Sequence, residues 1–433
     1  MENFIPLDIF KEIFQFCDFL TKIRFRQICK LLYETLHIID FNYIETKYLS
    51  KLTDDILKNY KLTSSLNAAN NPKIKDVSWM NNLKELDASD LSGIDQLGIN
   101  GLDLIKLNAS YNPKIKDVNW MKNLKELHVR GNSGIDQLGI NGLDLIKLNI
   151  SNNPNIKDIS WMRNLKELDV YGISGIDQLA IKELDLIKFN AGRNGKIKDV
   201  GWMNNLKELD ASDFCGIDQL GIKGLDLIKL DANHNIKIKD VSWMKNLKKL
   251  GAFGSCGIDQ LGIKGLNLIK LNASHNIKIK DVSWMKNLKE LDAGINSGID
   301  QLGIKGLDLI VLNVWNNTEI KDVSWMKNLK KLDASGGSRI DQIGIKWLDL
   351  IKLNVGYNEK IKDVSWMKNL KELNASGGSG IDQMGIRGLD LIKLTTWNNP
   401  KIKDVNWMKK LKELNVNSDY GIYQFGIKKS EFN

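Results

Sequence analysis

Cysteine is scarce in this 433-residue chain; there are four, Cys17, Cys29, Cys215 and Cys256. So few thiols argue against a disulfide-stapled secreted fold and for a reducing, intracellular compartment. Cys215 and Cys256 hold equivalent positions two coils apart, a separation of ~10 Å at ~4.8 Å per coil. That exceeds the roughly 7 Å reach of a disulfide, so both read as free thiols. Long apolar runs are lacking too. None approaches the roughly 18 residues of a membrane span, and "MENFIPLDIF" has neither the basic start nor the small-residue cleavage site of a secretory signal. Histidine is equally sparse, and no Cys/His cluster has metal-ligand spacing. The phrases GxxxxGK(S/T), HExxH and GxSxG are absent. The expectation is a chain without metal, cofactor or catalytic role, and without a membrane partner.

What the sequence has is repetition. Trp79, Trp120, Trp161, Trp202, Trp243, Trp284, Trp325, Trp366 and Trp407 are spaced 41 residues apart. Leucines divide that period again: Leu83, Leu104, Leu124, Leu145 and Leu165 follow at intervals of 20 or 21. Seventeen such phrases run from Leu83 to Leu411, with a degenerate one at "TSSLNA" (63–68). The unit is therefore a coil of 20 or 21 residues, and the chain holds about 18 of them. Within a coil, Leu104, Leu107, Ala109, Asn112, Ile115, Val118 and Met121 follow a pattern that resembles the leucine-rich repeat LxxLxLxxN. The first part alternates as a half-buried strand does. Strands that recur every coil run parallel, and the return path of each coil covers one face of their sheet. The expected class is α/β: a solenoid of about 18 coils with a parallel sheet on its concave face.

Three rows are periodic and read as scaffold. Asn71, Asn112, Asn153 and their equivalents to Asn399 fall at one phase of every second coil, where a side-chain amide can both donate to and accept from the turn leaving the strand. The tryptophan of "VSWM" lies on the return path opposite "LGI" in the alternate coil and reads as a packing device that keeps register. On the strands, Glu85, Lys106, Glu126, Lys147, Glu167, Lys188, Glu208 and Lys229 alternate in sign. Adjacent strands ~4.8 Å apart then set each charge beside its opposite, a ladder worth roughly 0.2–1 kcal/mol per pair. The net charge of +9 would suit a nucleic-acid partner, but a self-neutralised face argues against one.

A binding surface needs positions that differ between repeats, and these lie just after the strands. Tyr171, Arg193, His234, Phe253, His275, Trp315, Tyr357 and Trp397 vary there, with the aromatic and arginine character favoured at interfaces. They are the candidate contacts for a protein substrate. His234 and His275 lie two coils apart, too far to share a metal.

Residues 1–46 carry none of the repeat. Ile9, Phe10, Ile13, Phe14, Phe16 and Leu20 have helical spacing behind Pro6, with Asp8 at the helix start, and two further short helices are expected over 21–36. So small a unit has more apolar surface than it can bury alone. The segment resembles an F-box: Ile5-Pro6, Ile13-Phe14, Ile28-Cys29-Lys30 and Tyr33 fall in the family's spacing. Leu31 and Leu32 stand where the family carries a basic residue and a tryptophan. The resemblance implies docking of a Skp1-like adaptor of a cullin–RING ubiquitin ligase through Pro6, Ile9, Phe10, Ile13, Phe14 and Leu20, with the repeats presenting a substrate. Near-verbatim doublets such as "GIDQLGIKGLDLIKLNAS" are similar to the F-box and repeat proteins of giant amoeba-infecting DNA viruses, which implies action in the host cytoplasm. The expected organisation is an F-box-like domain (1–46), a linker and cap (47–62) and the solenoid (63–433), with a weakly capped C-terminus at "GIYQFGIKKSEFN" that frays over the last 40 residues. Two alternatives stay open: an interaction scaffold without a ubiquitin role, its helices a cap, and a basic solenoid that binds nucleic acid.

Overall fold

A computed structural model describes residues 7–42 and 44–416; of the last 40 residues, expected to fray, 394–416 are described and carry strand structure, and 417–433 lie outside the described residues, as does Pro6. The chain divides into two compact units. The first runs to Ile197 and includes Met203–Asn205, and the second holds Lys198–Trp202 and the chain from Leu206 onward.

The first unit opens with three helices, α1 (Leu7–Phe16), α2 (Phe19–Ile28) and α3 (Lys30–Thr35). The Asp18 carboxylate caps α2 by accepting the Thr21 N–H at 2.9 Å, which satisfies one of the donors every helix start leaves open. Strand β1 (Asp40–Phe41) then pairs in parallel with β2 (Ser65–Asn67). Thus the sheet begins inside the stretch expected to be purely helical. Between them α4 (Thr46–Leu49) and α5 (Asp54–Leu57) form the return path of the first coil. The strands continue as β3 (Glu85–Asp87), β4 (Lys106–Asn108), β5 (Glu126–His128), β6 (Lys147–Asn149), β7 (Glu167–Asp169) and β8 (Lys188–Asn190), each parallel to the one before. The second unit repeats this with β9 (Glu208–Asp210), β10 (Lys229–Asp231), β11 (Lys249–Gly251), β12 (Lys270–Asn272), β13 (Glu290–Asp292), β14 (Val311–Asn313), β15 (Lys331–Asp333), β16 (Lys352–Asn354), β17 (Glu372–Asn374), β18 (Lys393–Thr395) and β19 (Glu413–Asn415), again all parallel.

The core is the periodic set. Leu104, Leu107, Ala109, Ile115, Val118 and Met121 are fully buried, as are Leu227, Ala232, Ile238, Val241 and Met244 in the second unit. Burying each large side chain contributes roughly 1.5–3 kcal/mol, and every coil does so against its neighbours, because one coil alone has no second layer to bury against.

The phrase "DQLGI" has a structural task for each letter. The Asp95 carboxylate accepts the Leu97 and Gly98 N–H groups at 3.0 Å and starts a 3-10 turn at Leu97–Ile99. The Gln96 side chain reaches into the next coil, donating to the Asp117 carbonyl and accepting from the Lys116 and Asp117 N–H groups. A Cβ on Gly98 would stand 2.1 Å from the Lys75 carbonyl oxygen, so any larger residue there, such as the Ala180 that holds the same phase two doublets on, requires the coils to shift. The Gly98 carbonyl in turn accepts the Val77 N–H at 3.0 Å. Leu97 itself points outward and is exposed, whereas Gly98 and Ile99 are buried, so only part of the "LGI" phrase packs inward.

Candidate functional site

The asparagine row settles what kind of array this is. Asn112 is fully buried. Its Nδ2 donates to the Ala88 carbonyl at 2.7 Å and the Ile94 carbonyl at 3.0 Å, both in the preceding coil. Its Oδ1 accepts the Lys114 N–H at 3.0 Å. Asn235, Asn276, Asn317, Asn358 and Asn399 repeat the pattern in the second unit. Each unit is a leucine-rich-repeat solenoid. The tryptophans serve the same stacking. Trp120 Nε1 donates to the Leu102 carbonyl at 3.1 Å, and Trp243, Trp325 and Trp366 donate to the equivalent carbonyl of their preceding coils.

The outward strand positions behave differently in the two units. In the first, Glu126 lies 3.2 Å from Lys106 and 3.3 Å from Lys147, and Glu167 lies 3.6 Å from both Lys147 and Lys188. The His128 Nε2–H donates to Glu126 Oε1 at 2.6 Å. Burial alone would raise the Glu126 pKa, but the hydrogen bonds from His128 and Lys106 and the nearby charges hold it at about 2. Here the alternating ladder is formed as the sequence indicates. In the second unit it is interrupted, although Lys270–Glu290, Lys352–Glu372 and Lys393–Glu413 still pair. Lys249 faces Lys229 on one side and Lys270 on the other, and Lys331 faces Lys352. The idea of a face neutralised throughout therefore needs correction: Lys249 and Lys331 stand where the alternate coils otherwise carry glutamate.

The variable turn positions have a conformation that residue type does not announce. Arg193, His234, His275 and Tyr357 have φ between 56° and 61°, in the left-handed region. Such a turn throws the side chain clear of the coil, and non-glycine residues adopt it at a cost. Of the candidate contacts, the structure brings three together. The His234 and Phe253 rings are 4.8 Å apart, edge to face, and Phe253 and His275 are 6.2 Å apart. Arg193, Trp315, Tyr357 and Trp397 are exposed, and Tyr171 is half-buried. No ring contact joins Trp315, Tyr357 and Trp397 among the described residues. Tyr357 instead lies over Gly377, where an added Cβ would be 2.3 Å from its ring.

The helical candidates divide as well. Ile9 and Ile13 are each 45% exposed and Phe16 is 90% exposed, whereas Phe14 is 5% exposed. Phe14 and Phe10 both face Phe25, at ring distances of 6.5 and 6.3 Å. Leu20 and Phe10 are half-buried.

Two features escaped the sequence reading. Trp347 stands where Gly306 and Gly388 stand in neighbouring doublets, with φ +67° and 70% exposure, and the Lys346 ammonium lies 4.9 Å from its ring. A bulky residue in that conformation is an outlier; its signal was "IKWLD" against the recurring "IKGLD". The second is an exposed aliphatic row: Leu97, Leu138 and Leu179 in the first unit, and Leu220, Leu261, Leu302, Ile343 and Met384 in the second. Met384 and Trp407 line one open depression of about 720 Å³.

Buried Cys215 and Cys256 are free thiols that fill a row held by serine elsewhere, and burial pushes both pKa values up to about 11. No group of three or more His, Cys, Asp and Glu side chains placed to hold a metal occurs among the described residues. No described helix is long and apolar enough to cross a membrane.

No family model matches the chain, and no curated protein matches it. Among solved structures it is similar to an internalin of Listeria monocytogenes, at 18% identity over 81% of this chain and 85% of that one, with a TM-score of 0.33. It is also similar to TLR13 in its complex with a single-stranded RNA (17%, 88% and 63%, 0.41). A third likeness is to the complex of Rad7 and Elc1 from yeast (14%, 89% and 94%, 0.34). At these values the likeness says nothing about ligands.

Proposed function

We propose that the chain is a substrate-recognition subunit of an SCF-type ubiquitin ligase, acting in a host cytoplasm, with α1–α3 docking a Skp1-like adaptor and the repeats holding a protein substrate. The observation that carries this reading is the apolar surface the helices leave uncovered. Ile9, Ile13 and Phe16 share one face of α1 at helical spacing, and Ile28 and Leu31 are exposed on α2 and α3. A cluster of this kind on so small a unit marks a contact surface. It fits the F-box resemblance of Ile13, Ile28, Cys29, Lys30 and Tyr33. The chain supplies geometry to a ligase and no chemistry of its own.

A second reading has its own support. The opposite side of the helices is fastened to the first coils: Phe19 packs on Phe41 at 5.7 Å, Phe41 on Tyr60 at 5.1 Å, and the Arg26 guanidinium lies 4.5 Å from the Tyr33 ring and 5.4 Å from the Tyr60 ring. A plain cap on an interaction scaffold would need only that side.

Co-purification of a Skp1 adaptor with the full chain separates the two. The diagnostic variant is Ile9→Asp with Ile13→Asp, because both side chains are exposed and the change leaves the core intact; Phe14→Asp would unfold the helices and test nothing. Capture by the wild type and loss in the folded double variant is the expected result. No capture by the wild type sinks the ligase reading and leaves a capped interaction solenoid.

A further inference from the structure

The coils around β10, β11 and β12 depart from the array together, and on one face. The alternate coil before them reads Glu208-Leu209-Asp210-Ala211-Ser212. At the same positions β11 and its turn read Lys249-Leu250-Gly251-Ala252-Phe253. Leu250 and Ala252 remain buried, so the period of two places all three changes on the outward side. Two carboxylates are gone, one of them replaced by an ammonium, and an aromatic ring has been added.

The neighbours reinforce the change. Register places Lys249 between Lys229 and Lys270. Lys270 is paired with Glu290 at 2.8 Å; no ion pair engages Lys229 or Lys249 among the described residues. The glycine removes a side chain from the middle of the face, and Asp231 and Asn233 lean into that space, within 2.8 and 3.0 Å of where a Cβ would be. The Asn233 Oδ1 accepts the Phe253 N–H at 2.7 Å and sets the turn that carries the ring. His234 and His275 flank that ring from the two adjoining coils. Asp231 is the one carboxylate left inside the patch, and burial raises its pKa.

We propose that the face of β10–β12 binds a short acidic segment of a protein partner, its carboxylates on Lys229 and Lys249 and an apolar side chain against Phe253. This rests on the reading of the repeats as a protein-binding surface. The extent of the patch selects a peptide over a nucleic acid. The three strands span ~10 Å, and acids close both ends: Glu208 and Asp210 on β9, Glu290 and Asp292 on β13. A phosphate backbone tracking along the sheet would run into those carboxylates, whereas one or two peptide carboxylates fit between them.

The test measures binding of a fluorescent random copolymer of glutamate and tyrosine to the full chain, with polyuridylate as the counter-probe. The key variant combines Lys249→Glu, Gly251→Asp and Phe253→Ser, which restores the array's own residues and so preserves the fold. A control with the same charge change on the first unit's return path carries Lys116→Glu and Asn119→Asp. The copolymer is expected to bind the wild type and the control equally, and the restored variant about tenfold more weakly. Three results overturn the proposal: no copolymer binding, an equal loss in the control, or tighter binding of polyuridylate that the restored variant abolishes. Adaptor capture by the restored variant is read alongside, so that loss of this site and failure of the ligase reading give different outcomes.

Discussion

Over β4–β8 the outward residues form a chain of ion pairs, Lys106 to Glu126 to Lys147 to Glu167 to Lys188, each contact between 3.2 and 3.6 Å. Over β10–β12 the same positions carry three lysines, one of them paired. The backbone, the buried leucines and the asparagine row are the same in both stretches, so the fold does not need the charges to alternate. The ladder adds to stability where it exists. Where it stops, an aromatic cluster occupies the adjoining turns.

The largest effect expected is on what the two stretches share. Asn276→Ala leaves the buried Ala252 and Ile258 carbonyls without their donor, at about 1–3 kcal/mol for each unsatisfied group. A fall in the urea midpoint, with the first loss of amide-exchange protection in the coils on either side, is the outcome to look for. If the midpoint does not move, the row is not what holds the stack.

A smaller effect of opposite sign is expected from Trp347→Gly. It returns glycine to a position with φ +67° and should stabilise the chain by about 1 kcal/mol. A destabilised variant would mean that the indole packs well enough to outweigh its conformational cost.

Smaller again is Lys249→Glu, which restores the alternation in the second unit. Thermal unfolding should show a gain of about 0.5 kcal/mol that shrinks at high salt. No gain at low salt would mean that such ladders are inert here.

The last effect belongs to the intact ladder and shows itself only as pH falls. The Glu126 pKa is depressed to about 2 from an ordinary value near 4.5. Its contribution is complete above pH 4.5 and is lost as pH falls toward 2. Glu126→Gln should flatten the acid limb of stability in that window. An acid limb that Glu126→Gln leaves unchanged would assign it to other groups.

Much of this was legible in the chain. Leu107, Ala109, Ile115 and Val118 are buried because a coil offers one inward face and the residues recur at its period. Asn112 was readable because a buried amide has to find both donors and acceptors. Less of the candidate site could be read. Ile13 and Phe14 are adjacent in a helical pattern, yet one faces outward and the other packs on Phe25; a pattern with apolar residues on several faces does not say which face is covered. The β1 strand was hidden because Asp40–Phe41 is two residues long and has meaning only beside Ser65–Leu66.

By itself the sequence determined the repeat length, the parallel strands and the buried leucine, isoleucine, valine, methionine and asparagine rows, because these follow from periods of two and of 20 or 21 residues that each coil obeys. Tertiary structure alone decided the rest. His234, Phe253 and His275 are separated by about a coil each along the chain and become neighbours only through parallel stacking. The left-handed turns at His234 and His275 and the three lysines made adjacent by register are set by contacts between residues distant in sequence, and the inward turn of Phe14 by its packing on Phe25 of the next helix.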